Sequence, residues 1–227
     1  MSRRRLSILV VLIVALLQST HAHPHQWVDA ILYPVLENGQ LEGVRVEWQL
    51  RYGYAVDIAC RYDQDNDGVF NVEELASLYD TAFMPLVVDH FYLHIKVGGQ
   101  SYAPTAVQDF SADMPAGDVR FYFYVPCHIP AEPGTPISIS AFDPTYYTSF
   151  DLLDCRVQGR TGMKYSLAFE PDERLPSHGP FGCGAWAVLD FGPGDPSTTV
   201  VPGAGTLVPE DADSVYSGPV NPFTGKP

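Results

Sequence analysis

Apolar and polar residues first alternate regularly from Trp27 onward. Apolar residues occupy every second position over residues 27–33 and again over residues 44–51, which is the spacing of strands with one buried face. Between the two stretches, Asn38-Gly39 favours the two positive φ angles of a tight turn. The pattern therefore predicts an antiparallel hairpin that opens the folded domain.

The period changes from two to a helical spacing after Gly53. Apolar residues recur every three or four positions over residues 55–62 and again over 75–82, on either side of an acidic stretch. Pro85 should end the second helix, because proline removes a backbone donor and clashes with the preceding turn. We therefore expect a helix–loop–helix unit at about residues 53–84, inserted after the second strand.

Alternation returns in the second half of the chain and predicts further strands. They lie at residues 91–97, 119–125, 137–139 and 165–169. Short strands around one helical insertion indicate a mainly β (α+β) protein. We expect an antiparallel β-sandwich that carries the helix–loop–helix unit as an insertion.

The two ends of the chain differ from its middle. Residues 1–22 combine a basic start, an apolar run and a cleavage site after Ala22, which is the pattern of a secretory signal. The apolar run is shorter than the roughly 20 residues that span a bilayer, so we expect no membrane insertion after cleavage. Residues 192–227 are rich in Gly and Pro and predict an extended tail. The rest, residues 23–191, is the predicted β-sandwich domain of a periplasmic protein.

Charge and cysteine content narrow the class of protein. The chain has a formal net charge of −14, which disfavours nucleic acid and anionic lipid as partners. In an oxidising compartment, four cysteines predict two disulfides, and the sequence leaves all three pairings open. The cysteines are Cys60, Cys127, Cys155 and Cys183.

The acidic stretch from Asp63 to Glu74 matches the twelve-residue calcium loop of an EF-hand. Alternating oxygen donors let such a loop wrap calcium, a hard cation that takes six to eight oxygens. Gly68 permits the sharp turn, and Phe70 should anchor the loop in the core. The flanking helical patterns favour this EF-hand-like interpretation over a solvated acidic turn at a helix start. The predicted calcium ligands are Asp63, Asp65, Asp67, the carbonyl of Val69, Asn71 and Glu74.

Histidines near the predicted mature start offer a second metal site. If cleavage follows Ala22, His23 supplies a free amine and an imidazole, and His25 supplies a second imidazole. These ligands suit zinc, nickel, copper or cobalt, and the alternative is a solvated chain terminus. His90 and His94 belong to a predicted strand that separates them by roughly 13 Å, too far for one metal unless a bulge intervenes.

No catalytic motif is present in the sequence. It lacks a Gly-x-Ser-x-Gly elbow, a phosphate loop, a dinucleotide fingerprint and a His-Glu-x-x-His helix. We therefore expect a binding protein rather than an enzyme. The remaining enzymatic alternative is a copper oxidase that uses His23.

Four motifs, in their order along the chain, resemble the family named domain of unknown function 1007. They are His23-Pro24-His25 with Trp27-Val28-Asp29, the loop from Asp63 to Glu74, Asp109-Phe110-Ser111, and Phe142-Asp143-Pro144-Thr145-Tyr146-Tyr147. The resemblance covers about residues 23–169. It implies an exported bacterial protein that forms the periplasmic part of a transport system. Such proteins are commonly encoded beside permeases of the nickel and cobalt class, and zinc uptake is implied for some.

The resemblance also implies a ligand set and a partner. His23, His25 and Asp143 are the implied transition-metal ligands, and Asp29 is a weaker one. We accordingly expect a calcium-binding periplasmic accessory protein of a zinc, nickel or cobalt transport system, with a membrane permease as its partner. The alternative is a calcium-stabilised cell-envelope module that binds another protein and has no transition-metal role.

Overall fold

The computed structural model describes residues 24–159, 164–175, 177, 183–192 and 198–200. Eleven strands and two α-helices lie in these ranges. The strands are β1 (Gln26–Glu37), β2 (Gln40–Arg51), β3 (Leu93–Val97), β4 (Gln100–Tyr102), β5 (Gln108–Asp113), β6 (Val119–Pro130), β7 (Ile137–Ala141), β8 (Thr148–Cys155), β9 (Tyr165–Asp172), β10 (Gly184–Phe191) and β11 (Thr198–Val200). The helices are α1 (Tyr52–Tyr62) and α2 (Val72–Leu78). The predicted signal segment 1–22, His23 and most of the predicted tail 192–227 lie outside the described residues.

The strands form two sheets. The first has the order β5-β6-β2-β1-β8, and the second has the order β11-β9-β10-β7-β3-β4. Neighbouring strands are antiparallel except for two pairs, β1 with β8 and β9 with β11. Apolar residues of both sheets belong to one hydrophobic core. The predicted mainly β class is therefore confirmed, with two sheets that are mostly antiparallel.

The first hairpin forms as its sequence predicts. Asn38 and Gly39 take φ angles of 49° and 78°, and they join β1 to β2 in antiparallel register. Val28 and Trp48 are almost fully buried, so the apolar face predicted from alternation is the core face.

The helical insertion lies between β2 and β3, and its second half is less regular than predicted. After α2, the chain forms a π-helical turn over Tyr79–Phe83 and then a 3₁₀ segment over Met84–Tyr92. Pro85 lies in the first turn of that 3₁₀ segment, where a missing backbone N–H costs no hydrogen bond. Pro85 therefore starts a new helical segment, while α2 itself already ends at Leu78.

An aromatic cluster packs this insertion against the first sheet. The Phe83 ring, fully buried, lies 4.3 Å from Phe110, 4.9 Å from Phe123 and 6.2 Å from Trp48, measured between ring centroids. Such aromatic contacts stabilise beyond the area that they bury. The cluster fixes the C-terminal side of the helical insertion on the sheet.

The strand predicted to begin at Phe91 begins two residues later. His90, Phe91 and Tyr92 have φ angles of 54°, 54° and 50°, so they form a left-handed turn. Phe91 is fully buried in this turn, which explains how its apolar side chain imitates a strand position in the sequence. The change alters where His90 lies relative to His94.

Some strands have no clear alternation in the sequence. They are β4, β5, β8, β10 and β11. The strand β11 falls within the segment predicted to be an extended tail, where Thr198, Thr199 and Val200 are residues that favour strands. It pairs in parallel with β9.

The two predicted disulfides are not formed in this structure. Cys60, Cys127 and Cys155 are free cysteines. Cys60 is exposed on α1, whereas Cys127 and Cys155 are buried on β6 and β8, which β2 and β1 separate in the first sheet. Burial raises the pKa of Cys127 to about 12, so this thiol stays protonated at neutral pH.

No helix within the described ranges is both long enough and apolar enough to cross a membrane.

Candidate functional site

The densest group of acidic side chains lies in the loop between α1 and α2. One carboxylate oxygen each from Asp63, Asp65 and Asp67 lies within 4.8 Å of the other two. Asp63 is buried at the end of α1, while Asp65 and Asp67 are exposed. Glu74, at the other end of the loop, is also buried. The structure thus brings three of the predicted calcium ligands to one point.

The carboxylate of Asp63 organises the first half of the loop. It accepts hydrogen bonds from the backbone N–H groups of Asp67 and Gly68, each at 3.2 Å. Asn66 and Gly68 take φ angles of 57° and 82°, which turn the chain back over Asp63. A side chain at position 68 is strained in that conformation, which explains the glycine in the sequence.

The second half of the loop is a capped helix start. Asn71 Oδ1 accepts the backbone N–H groups of Glu73 and Glu74 at 3.0 Å. The Glu74 carboxylate accepts the N–H of Asn71 at 3.0 Å, which completes a capping box. Its other oxygen accepts the N–H of Gln64 at 2.6 Å. Glu74 therefore joins the two ends of the loop.

Two apolar residues of the loop face in different directions. Phe70 is buried and belongs to the main core, as the sequence predicts. The Val69 side chain is exposed, and its backbone N–H donates to Asp67 Oδ1 at 2.8 Å. The loop is thus anchored at its centre by one ring.

Negative charge accumulates around Asp65. The backbone N–H of Asp67 donates to its carboxylate, which lowers its pKa. Desolvation and the charges of Asp67, Glu74 and Asp63 act in the opposite direction, and together they raise the pKa above the ordinary aspartate value. None of these carboxylates forms an ion pair with Lys or Arg in the part of the chain that the structure describes. The loop carries more negative charge than its own residues neutralise.

The donor set of the loop fits a hard divalent cation. All of its donors are oxygens, from carboxylates, a side-chain amide and the backbone. The hydrogen bonds of Asp63, Asn71 and Glu74 to backbone N–H groups are all made within the loop, so they shape it. Calcium tolerates such an irregular set of oxygens, whereas magnesium demands near-octahedral geometry.

The start of β1 lies beside the turn that carries Asp143. The backbone N–H of His25 donates to the carbonyl of Tyr147 at 2.8 Å, and the two side-chain rings are 5.0 Å apart. The His25 side chain is exposed. Asp143 is buried, and its carboxylate accepts hydrogen bonds from Thr145 and Thr148 inside its own turn. His25 and Asp143 as transition-metal ligands therefore stay a prediction.

Asp29 is engaged with other side chains on the first sheet. It forms an ion pair with Arg51 and lies opposite Asp151 in the β1–β8 register. Burial raises the pKa of Asp29, against the opposing effect of Arg51. Its Oδ1 has no hydrogen-bond partner within the described residues. The ion pair supplies a structural role for Asp29, and its role as a ligand stays a prediction.

The sequence did not predict a site at His90 and His94. His90 and His94 line one cavity of about 530 Å³ beside β3. The strand predicted for residues 91–97 would place them far apart, but His90 lies in the left-handed turn before β3, and both histidines line the same cavity. Their spacing of four residues was the only signal in the sequence, and the alternating apolar residues between them obscured it.

Comparison with known proteins places the chain in a family. The sequence model described as "Protein of unknown function (DUF1007)" matches residues 8–172. The chain belongs to the DUF1007 family. The resemblance carried by the motifs between His23 and Tyr147 is thereby confirmed.

Two curated relatives are similar to this DUF1007 chain. An uncharacterized protein of Haemophilus influenzae is 26% identical over 132 residues, which cover 56% of this chain and 62% of the relative. An uncharacterized 15.5 kDa protein from the trpE 3′ region of Spirochaeta aurantia is 26% identical over 87 residues, which cover 38% of this chain and 62% of that protein. The matches thus span about three-fifths of each relative. No solved structure matches the chain significantly.

Proposed function

We propose that this chain is a periplasmic calcium-binding accessory protein of a zinc, nickel or cobalt transport system. The observation that supports calcium binding is the convergence of carboxylate oxygens of Asp63, Asp65 and Asp67 within 4.8 Å of one another. In this proposal, α1, the acidic loop and α2 act together as an EF-hand-like unit.

The calcium ion has a structural role in this proposal. A sensor usually pairs two calcium loops, whereas this chain carries one such loop in its sequence. The loop also joins the two helices directly. Helix α1 follows β2, and α2 leads to the aromatic cluster around Phe83. A bound ion therefore fixes both helices on the first sheet.

Isothermal titration calorimetry of the mature chain, after treatment with a chelator, tests this proposal. We expect one calcium ion per chain, with a dissociation constant in the range of roughly 10⁻⁷ to 10⁻³ M that such loops cover, and weaker binding of magnesium. Asp63→Asn should weaken calcium binding by at least about tenfold, which corresponds to 1.4 kcal/mol. Asp57→Asn is the control, because Asp57 is exposed and pairs with Arg61 outside the loop. Absence of saturable calcium binding refutes the proposed site.

The transition-metal role is proposed for the start of the mature chain. The support is the exposed imidazole of His25, which adjoins the turn that carries Asp143 and Tyr147. His23 lies two residues before His25 and adds an amine and a second ring after signal cleavage at Ala22. The permease partner and the periplasmic location belong to this proposal.

Metal analysis of the mature chain in excess calcium tests the transition-metal role. We expect one zinc or nickel ion per chain, and its loss in the double variant His23→Ala and His25→Ala. His128→Ala is the control, since His128 is an exposed histidine that pairs with Glu42. Unchanged metal content in the double variant would contradict the ligand assignment.

The second candidate function is a protein-interaction module without a transition metal. Two exposed aromatic side chains favour it, since Tyr52 and Tyr147 have exposed fractions of 70% and 53%. Both lie next to the start of β1, where Tyr52 contacts Trp27 and Tyr147 contacts His25. A mature chain that binds calcium but no zinc, nickel or cobalt supports this candidate.

A further inference from the structure

The cavity beside β3 combines histidines, cations and aromatic rings. Its volume is about 530 Å³, which is within the roughly 300–1,000 Å³ of sites for small molecules and far larger than a bare metal ion requires. The lining residues used below are His90, His94, Lys96, Phe142, Arg174 and Trp186. None of them belongs to the calcium loop or to the His25 site.

Both histidines have one ring nitrogen fixed by the backbone. His90 Nδ1 lies 3.0 Å from the carbonyl oxygen of Pro104, and His94 Nε2 lies 2.9 Å from that of Phe142. Because a carbonyl only accepts, each of these nitrogens donates its N–H. In a neutral ring the other nitrogen then carries a lone pair, which is how metal-binding histidines are usually held.

His94 is held in place by its surroundings. Its ring is stacked on Phe142 with centroids 3.6 Å apart, so its orientation is fixed. The backbone at His90 is held in the left-handed region, a strained conformation that is often found at functional sites.

The same cavity carries excess positive charge. Lys96 Nζ lies 3.6 Å from the centroid of the Trp186 ring, and no carboxylate forms an ion pair with it among the described residues. Arg174 is paired with Asp172 through two hydrogen bonds, which neutralises one further charge. A lone divalent cation is repelled by Lys96, whereas a ligand with negative charge is attracted. This contrasts with the net charge of −14 for the whole chain.

We propose that this cavity binds a divalent transition metal as its complex with a small polycarboxylate such as citrate. His90 and His94 supply imidazole nitrogens to the metal, and Lys96 faces the carboxylates. The negative charge of the complex explains how metal-binding histidines and the positive charge of Lys96 can serve the same ligand. The inference rests on the proposed transition-metal role and names the form in which the metal is carried.

Cobalt(II) citrate is the probe, because the visible spectrum of cobalt changes when imidazole replaces oxygen ligands. The protein is the mature, calcium-loaded chain with His23→Ala and His25→Ala, so that the cavity is measured alone. We expect saturable binding of cobalt citrate with a spectral change, and at least about tenfold weaker binding of cobalt alone and of citrate alone. Equal binding of cobalt alone, or of citrate alone, overturns the proposal.

Single substitutions assign the residues. His90→Gln and His94→Gln should each remove the spectral change, and Lys96→Met should weaken binding of the complex at least about tenfold while it keeps both rings. The matched controls are His128→Gln and Lys164→Met, since both side chains are exposed and lie outside the cavity. Calcium-dependent melting of each variant verifies its fold. Wild-type binding in Lys96→Met overturns the proposal.

Failure of this inference is distinguishable from failure of the proposed function. Metal analysis of the chain with intact His23 and His25 reports on the proposed function, while cobalt citrate in the double variant reports on the cavity. If the chain binds zinc or nickel through His23 and His25, but the double variant shows no spectral change with cobalt citrate, the inference about the cavity is refuted and the proposed function is not.

Discussion

Asp65 illustrates how the acidic loop opposes folding when no ion is bound. Its pKa is raised, so the folded state binds its proton more tightly than the unfolded state does. The stability of the ion-free protein therefore falls as the pH rises from the ordinary aspartate range through the raised pKa. At neutral pH Asp65 is ionised, and its repulsion with Asp67, Glu74 and Asp63 is fully present. A bound cation reverses the sign of this contribution.

Asp65→Asn should therefore raise the melting temperature of the ion-free protein at pH 7, because it removes one charge and keeps an oxygen for the Asp67 N–H. The same substitution should reduce the increase in melting temperature that calcium produces. Differential scanning fluorimetry in chelator and in calcium measures both effects. Asp57→Asn, an exposed aspartate outside the loop, controls for the general loss of one negative charge. A lower melting temperature of Asp65→Asn in chelator would show that repulsion is not the dominant effect.

At the scale of secondary-structure elements, the sequence predicted correctly those elements whose conformation depends on residues close together in the chain. Asn38-Gly39 specified the first hairpin, because few other dipeptides adopt two positive φ angles easily. The helical spacing around residues 53–84 predicted α1 and α2, because apolar residues three or four positions apart form one buried face of each helix. The sequence assigned His90 to the wrong local structure. The apolar residue Phe91 fits a buried strand position, but it is in fact buried by a left-handed turn.

The strand β8 could not be read from its sequence. Ser149 and Asp151 are polar but buried, so both faces of the strand are covered and polarity does not mark the exposed side. A register shift in its pairing with β1 also breaks the period of two between Leu152 and Asp154. Parallel pairing with a strand more than 110 positions earlier depends on tertiary contacts that no local pattern contains.

Phe83 connects the helical insertion to the first sheet, so its truncation should destabilise the whole domain. Phe83→Ala removes a fully buried ring from the aromatic cluster and should lower the free energy of unfolding by roughly 3–5 kcal/mol. Urea unfolding followed by circular dichroism measures this loss. Val88→Ala, in the 3₁₀ segment that follows Phe83 but with a side chain 77% exposed, should change stability by less than about 0.5 kcal/mol. Equal effects of the two substitutions would refute the anchoring role of Phe83.

At the scale of the molecule, one core serves the two sheets and the helical insertion. Phe70 of the loop and Leu75 of α2 belong to the same hydrophobic cluster as Trp48 of β2. The acidic loop is therefore connected to the sheet through buried side chains at its centre and at its end. Binding of an ion to this loop should stabilise the fold as a whole, because ligands that bind only the folded state raise its stability by mass action.

The decisive measurement is the unfolding midpoint of the mature chain by calorimetry, in chelator and in millimolar calcium. At about 100 times the dissociation constant, bound calcium adds about 2.7 kcal/mol, which corresponds to a rise of roughly 5–10 °C for a protein of this size. We predict such a rise for the wild-type chain and for Asp57→Asn, and a much smaller one for Asp63→Asn. Identical midpoints of the wild-type chain in chelator and in calcium would contradict calcium binding by the loop from Asp63 to Glu74.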